Sequence, residues 1–387
     1  MKNQLHIAYL VSHYPHEAFG DDGGLGTSVY TLVEKIRRKD CYVSVFVYGQ
    51  QKAFEIQEEN LTIYSIADID AKFFKFYCHR KHIEKFVKEK IKSTSIDILE
   101  APDWTGITAF MHFNIPLIIR FHGSDAYFCH LEKRKQKLKN FLFEKLAIRH
   151  ADAFIAPTSF AGELSKKIFN IQGKEIKTIH YGLAIENFHN PHPEQFEKGL
   201  ILYIGTIIRK KGVLQLPGIF HLLQQQCPEA KLVLIGGDSY DIETGTKSTW
   251  ALVRQLFQGD EEQSVTYLGK VPYQQVKEHI KRAHVCIFPT FAETLGMVTI
   301  ESMALQKPVI NSDIGWSQEL IEDGVSGYLV HPENHELYAQ RIQELFQNES
   351  LAETMGKAAR KRVEEHFDIE KIVLQNIDFY KKILSRN

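Results

Sequence analysis

Phe288-Pro289-Thr290-Phe291-Ala292-Glu293-Thr294-Leu295-Gly296-Met297-Val298-Thr299-Ile300-Glu301-Ser302-Met303-Ala304 is the stretch on which the reading of this chain turns. Val285 to Pro289 reads as a buried strand. It runs into a loop bearing Glu293, and Gly296 then opens a helix. The first amides of that helix, at Leu295, Gly296, Met297 and Val298, are free of intrahelical acceptors. With the helix dipole they suit a diphosphate, and glycine lets a phosphate approach the backbone closely. Glu301 lies about one and a half turns further along. It can reach past the phosphates to a ribose, whose two hydroxyls suit a bidentate carboxylate. Glu293 would face a sugar on the far side of the diphosphate. A bare pair of glutamates with this spacing is most often an ordinary loop charge and helix charge. The strand before and the Gly-led helix after favour the functional reading.

Working outward, the same alternation of strand and helix runs from end to end. Residues 5–11, Tyr42 to Tyr48, 96–100, 116–121 and 153–157 read as strands. A Gly-rich loop is expected at 20–26 and a helix at about 27–39. After the polar, Pro-rich stretch 187–199 the pattern restarts, with strands at 199–205, 230–237, 264–269, 285–289 and 308–311. Residues 369–384 read as a long amphipathic helix. Such alternation predicts an α/β chain of two tandem Rossmann-like, doubly wound domains. Ligands would bind at carboxyl strand ends facing a cleft. The expected bounds are 1–190 plus a C-terminal helix at about 369–387, and 195–368.

Composition narrows the class. The 387 residues are 44% apolar and 25% charged with net charge −1, which excludes disordered and collagen-like chains and argues against nucleic-acid binding. Five cysteines without a CxxC pattern argue for a reducing, cytoplasmic setting. No apolar run approaches membrane-spanning length, and the run at 5–11 is too short for a signal peptide. Charge is uneven: residues 72–92 carry eight basic and two acidic side chains, and residues 130–150 carry seven and two. The second stretch places apolar residues largely at helical spacing opposite lysines. It reads either as a solvated helix face or as a basic helix touching anionic lipid, and the two stretches 72–92 and 130–150 together suit peripheral contact with an anionic membrane, or a lipid-linked or polyanionic glycan acceptor, at the inner membrane face.

The chain resembles the retaining family 4 glycosyltransferases of GT-B fold. Their E-x7-E signature is matched by Glu293, Gly296 and Glu301. Other landmarks recur in order over essentially the whole chain. Gly23-Gly24-Leu25-Gly26 resembles the Gly-rich loop near the donor phosphates. Phe121-His122-Gly123-Ser124-Asp125 resembles the His-bearing loop of the first domain. Gly205-Thr206-Ile207-Ile208-Arg209-Lys210-Lys211-Gly212 resembles the basic loop that opens the second domain, and 315–327 the segment after the donor site.

The resemblance implies transfer of a sugar from a nucleotide diphosphate sugar to a hydroxyl of a glycan, lipid-linked glycan or small-molecule acceptor. Configuration would be retained, with neither cofactor nor metal. His122, Arg209, Lys211 and Glu293 are the expected catalytic set. Gly24, Gly26, Thr206, Val271 and Glu301 join the amides after the Glu293 loop in donor binding. Two cations in the basic loop would neutralise the leaving diphosphate. Many relatives carry Arg where this chain has Thr206, which leaves open whether Arg209, Lys210 or Lys211 takes the phosphate. Asp103, Trp104 and Asp125 are expected on the acceptor side, Asp125 alternatively orienting His122. Asp68-Ile69-Asp70 is formally a metal-binding DxD, but its polar context marks it as a surface turn. The rival readings are a non-catalytic nucleotide-sugar-binding protein and an NAD-linked oxidoreductase or epimerase. The latter lacks a proper GxGxxG, since Val29 stands where the last Gly would fall.

Overall fold

The computed structural model describes residues 4–19 and 24–386. The chain forms two compact units, residues 1–182 with 369–387, and residues 183–368.

The first unit holds β1 (Leu5–Val11), β2 (Cys41–Gln50), β3 (Phe54–Glu58), β4 (Leu61–Ala67), β5 (Ile98–Pro102), β6 (Leu117–Arg120), β7 (Ala153–Ala156) and β8 (Ile176–Thr178). Their order in the sheet is β3-β4-β2-β1-β5-β6-β7-β8. All neighbours are parallel except β3 and β4, an antiparallel edge hairpin that the alternation pattern did not reveal. Along β1, Ala8 and Leu10 enter a core with Phe46, Ile83, Val87 and Leu99. The alternate residue Tyr9 points the other way, its hydroxyl 3.1 Å from that of Tyr380. Period-two alternation in a sheet covered on both faces requires this division.

Tyr380 belongs to the helix Ile369–Leu384, whose Ile372, Val373, Asn376, Ile377 and Ile383 are buried in the first unit. Its anchor is a buried polar knot. Arg120 at the end of β6 makes two bonds to Glu100 of β5, at 2.7 and 3.0 Å, and donates to Asn376 Oδ1 at 2.5 Å. The Tyr380 hydroxyl donates to Glu100 at 2.6 Å.

The second unit is all parallel. It holds β9 (Leu200–Ile204), β10 (Lys231–Ile235), β11 (Val265–Tyr267), β12 (Val285–Phe288), β13 (Val309–Asn311) and β14 (Tyr328–Leu329), ordered β11-β10-β9-β12-β13-β14. Ile201, Tyr203, Phe220, Leu232, Ile310 and Tyr338 are among its core residues. The Pro-rich segment after residue 187 is not a loose tether. Phe188 and Asn190 are buried in this unit, and Asn190 donates to the Leu305 carbonyl at 2.9 Å.

Two local expectations change. The helix α1 runs Gly24–Ile36, so Gly24 and Gly26 stand in its first turn rather than in a loop; Gly23 lies outside the described residues. After α2 (Lys75–Thr94), the basic stretch 130–150 is not one helix. It is the end of α3 (Asp125–Leu131) and the whole of α4 (Leu138–His150). α3 ends in a tight turn at Lys133, φ 53°, with the Arg134 N–H returning to the Cys129 carbonyl at 2.9 Å. Glu144 of α4 caps the other end of α3, accepting from the backbone N–H of Asp125 and Ala126 at 2.8 and 3.1 Å.

Candidate active site

In the second unit, two loops separated widely in sequence are stitched together. β9 ends at Ile204 and leads into the basic turn Arg209–Lys211. β12 ends at Phe288 and leads into the Glu293 loop. The backbone N–H groups of Phe291 and Ala292 both donate to the Lys210 carbonyl, at 2.9 and 3.2 Å. Gly212, at φ 69°, closes the turn against Pro289.

This arrangement sets the Lys211 ammonium directly on Glu293 Oε2. Burial works against the charge of Glu293, but Lys211, with Lys210 adding, holds its carboxyl below the usual range. The Thr294 N–H donates to the other oxygen at 3.0 Å. Glu293 is therefore an ionised carboxylate with a cation at its side. It can hold sugar hydroxyls or stabilise developing positive charge.

Arg209 is committed differently. Its guanidinium forks onto Asp241, with bonds of 2.9 and 2.8 Å, and reaches Glu243 at 3.2 Å. The bond from Arg209 pulls the Asp241 carboxyl far below the usual range. Of the cations expected to meet a diphosphate, Arg209 is thus held by an acidic loop. Asp241, which the motif reading missed, lies in the polar segment following Gly236-Gly237, where no pattern singled it out.

Beyond the Glu293 loop, Gly296 at φ 99° turns the chain into the helix Met297–Ala304. A residue with a Cβ is strained at that φ, so glycine sets the entry angle. Leu295 is fully buried and anchors the turn. Glu301 follows on the helix and accepts from the Tyr273 hydroxyl at 2.7 Å. Burial pushes its carboxyl up to about 7, against the lowering effect of that bond. Tyr273 begins the helix Tyr273–Arg282 just after Val271, which is half-buried; Thr206 is exposed beyond the end of β9. Tyr273 also went unmarked in the sequence.

In the first unit, His122 stands two residues past β6. Its ring stacks on Tyr181, 5.5 Å between centroids and 9° between planes, and Nδ1 lies 2.7 Å from the Tyr181 hydroxyl. Burial, with the charge of Arg120 adding, pushes the imidazole pKa down to about 3. His122 is therefore neutral at physiological pH.

The three acceptor-side expectations separate. Asp103 is buried, and Oδ1 accepts the His122 N–H at 2.9 Å. It positions the His122 loop from beneath and cannot meet an acceptor. Burial pushes Asp103 up to about 7, opposed by the loop amides. Asp125 does not orient His122. Its carboxylate is taken by Arg134 at 3.0 Å and Asn140 at 3.2 Å. Trp104 is 45% exposed at the start of a short turn, open to a partner.

Residues 184–362 match the family model for glycosyl transferases group 1, and residues 22–187 that for glycosyltransferase family 4. An uncharacterised glycosyltransferase of Methanocaldococcus jannaschii is 24% identical over 93% of this chain and 95% of its own. The capsular polysaccharide biosynthesis glycosyltransferase CapM of Staphylococcus aureus is 26% identical over 64% of this chain and 66% of its own. Among solved structures, Anabaena Alr3699/HepE in complex with UDP and glucose superposes with a TM-score of 0.73 at 18% identity, over 98% of this chain and 100% of that one. It has the same fold.

Proposed function

This chain belongs to the group 1, family 4 glycosyltransferases of GT-B fold and uses a nucleotide-sugar donor, and on that premise we propose that it transfers a hexose, with retention and without a metal, to a hydroxyl of a glycan or lipid-linked glycan. The observation that carries this reading is the Lys211–Glu293 pair standing beside the Gly296-led helix that bears Glu301. Lys211 and the amides at Met297 and Val298 receive the diphosphate. Glu301 takes the ribose, and the backbone near Val271 meets the base. In this reading Thr206 and the backbone at Gly24 and Gly26 are further donor contacts.

In the reaction, the bond between the anomeric carbon and the phosphate oxygen breaks, and its electron pair leaves with the diphosphate. Lys211 neutralises that charge as it forms. Glu293 steadies the oxocarbenium-like sugar. The acceptor oxygen attacks from the face the diphosphate has left, and its proton passes to a phosphate oxygen. Neutral His122 hydrogen-bonds the sugar or the acceptor. UDP-glucose is the first donor to try, since the Anabaena structure holds UDP and glucose. The relation to CapM favours an acceptor in cell-surface polysaccharide synthesis.

The test is a thermal-shift panel of UDP, GDP and ADP with their hexoses, with and without EDTA, on wild type and Glu301→Ala. Stabilisation by one nucleoside diphosphate, insensitive to EDTA and weakened in Glu301→Ala, supports the reading. The panel also carries NAD, and stabilisation by NAD alone would overturn the reading. Product NMR with the matching donor then reads the anomeric configuration.

A further inference from the structure

The two basic stretches meet on one face of the first unit, and what they carry there is aromatic. Phe73 and Phe74 are 80% and 84% exposed at the head of α2, followed by Phe76 and Tyr77 at 55% and 47%. The head of α4 lies beside them, with Leu138 72% exposed and Leu142 48% exposed. Lys139 sits 3.2 Å over the Phe76 ring, and Phe76 and Phe143 are 6.2 Å apart. The platform under this patch is firm. Buried Arg80 of α2 donates to the carbonyls of Thr105 and Gly106, at 2.9 and 3.2 Å, and lies 4.6 Å over the ring of Phe143 on α4.

The charges around the patch divide into two groups. Lys81 and Lys88 share the single carboxylate of Glu84, and Arg134 pairs with Asp125 and Glu132. Lys72, Lys75, Lys135 and Lys137 are exposed, and no carboxylate among the described residues pairs with them. Phenylalanine rings at this exposure have no hydrogen-bonding group to offer a polar partner. The unpaired lysines repel a second copy of the same face and attract an anionic one.

We propose that this face docks on an anionic lipid bilayer. The phenylalanines at the head of α2 enter the interfacial layer, and the lysines meet headgroup phosphates. No helix among the described residues is long and apolar enough to cross a membrane, so the contact is one of lying on the surface. The inference goes beyond the transfer reaction and does not depend on the donor.

The test is co-sedimentation of the full chain with sucrose-loaded vesicles, of phosphatidylcholine alone or of equal parts phosphatidylcholine and phosphatidylglycerol. No nucleotide sugar is present, so the result is independent of the catalytic reading. Wild type should sediment with the anionic vesicles only. Phe73→Ser/Phe74→Ser should remain in the supernatant with an unchanged melting temperature, as exposed positions allow. Lys135→Gln/Lys137→Gln should weaken partition about five-fold per lysine, an effect that salt mimics. Wild type that ignores anionic vesicles at low salt would overturn the proposal. So would a concentration-dependent dimer that Phe73→Ser/Phe74→Ser dissociates, since the patch would then be a protein interface.

Discussion

Gly212 lies against Pro289 so closely that a Cβ on Gly212 would sit 1.6 Å from the Pro289 carbonyl oxygen. That contact, together with the bonds to the Lys210 carbonyl, sets the basic turn against the loop that carries Glu293. Gly212→Ala must move backbone on both sides and also strain a φ of 69°. It should cost about 2–4 kcal/mol, read as the urea midpoint by far-UV circular dichroism. Gly269→Ala has a similar φ of 68° with nothing within 4 Å, and should cost only about 1–2 kcal/mol. Equal losses in the two variants would mean that the Pro289 contact is not what holds the turn.

Lys211→Met removes the cation beside Glu293 while keeping most of the side-chain volume. The kcat/KM with the matching donor should fall about 10²–10³-fold. Burial would then act on Glu293 unopposed by Lys211, so its pKa should rise. The acid limb of the pH–rate profile should move to higher pH. A rate loss with an unmoved acid limb would remove Glu293 from the role given to it.

Glu301, pushed up to about 7, is half protonated near neutral pH. Only its ionised form accepts from both ribose hydroxyls. Affinity for the nucleoside diphosphate should therefore strengthen as pH rises from 6 to 8, measured by calorimetry as the ratio of wild type to Glu301→Gln. The ratio cancels the titration of the phosphates themselves. Tyr273→Phe withdraws a bond that favours the charged carboxylate, and should shift the rise to higher pH. A flat ratio over this range would deny Glu301 its ribose contact.

His122 stays neutral because burial and Arg120 depress its pKa to about 3. No limb between pH 5 and 8 in the rate profile should disappear in His122→Asn, although the rate should fall about 10²-fold. Tyr181→Phe keeps the stacking ring and removes the hydroxyl 2.7 Å from Nδ1. It should lower kcat several-fold and leave KM for the donor in place.

The knot of Glu100, Arg120, Asn376 and Tyr380 gives a stability prediction. Arg120→Met strands the buried Glu100 carboxylate and should cost about 3–5 kcal/mol. Tyr380→Phe removes the hydroxyl that donates to Glu100 at 2.6 Å and meets the Tyr9 hydroxyl at 3.1 Å, and should cost about 1–3 kcal/mol. Thermal melts of both variants check the order.

The repeating strands and helices were legible because burial of a parallel strand on both faces demands continuous apolar runs, such as Val285 to Phe288 and Leu200 to Ile204. The edge hairpin of β3 and β4 escaped notice. The β3 residues are mostly exposed, so the sequence there lacks an apolar run. The break between α3 and α4 was hidden too, because the lysines at 133–137 suit a helix face as well as a loop. The turn at Lys133 that ends α3 has no glycine to mark it, and the distant Glu144 joins Ser124 in capping the start of α3.

For the candidate site, the local pattern specified what chemistry was on offer. A strand, a glycine and two glutamates at fixed spacing are features of adjacent residues, and helix geometry relates them without further information. Partners were another matter. That Arg209 is taken by Asp241, that Lys211 rests on Glu293, that Asp103 lies beneath His122 and that Tyr273 reaches Glu301 depends on which strand ends come together. A side chain's charge is written in its own residue. Whether that charge remains open to a ligand or is already answered depends on groups far along the chain, and only the folded sheet brings them within hydrogen-bonding distance.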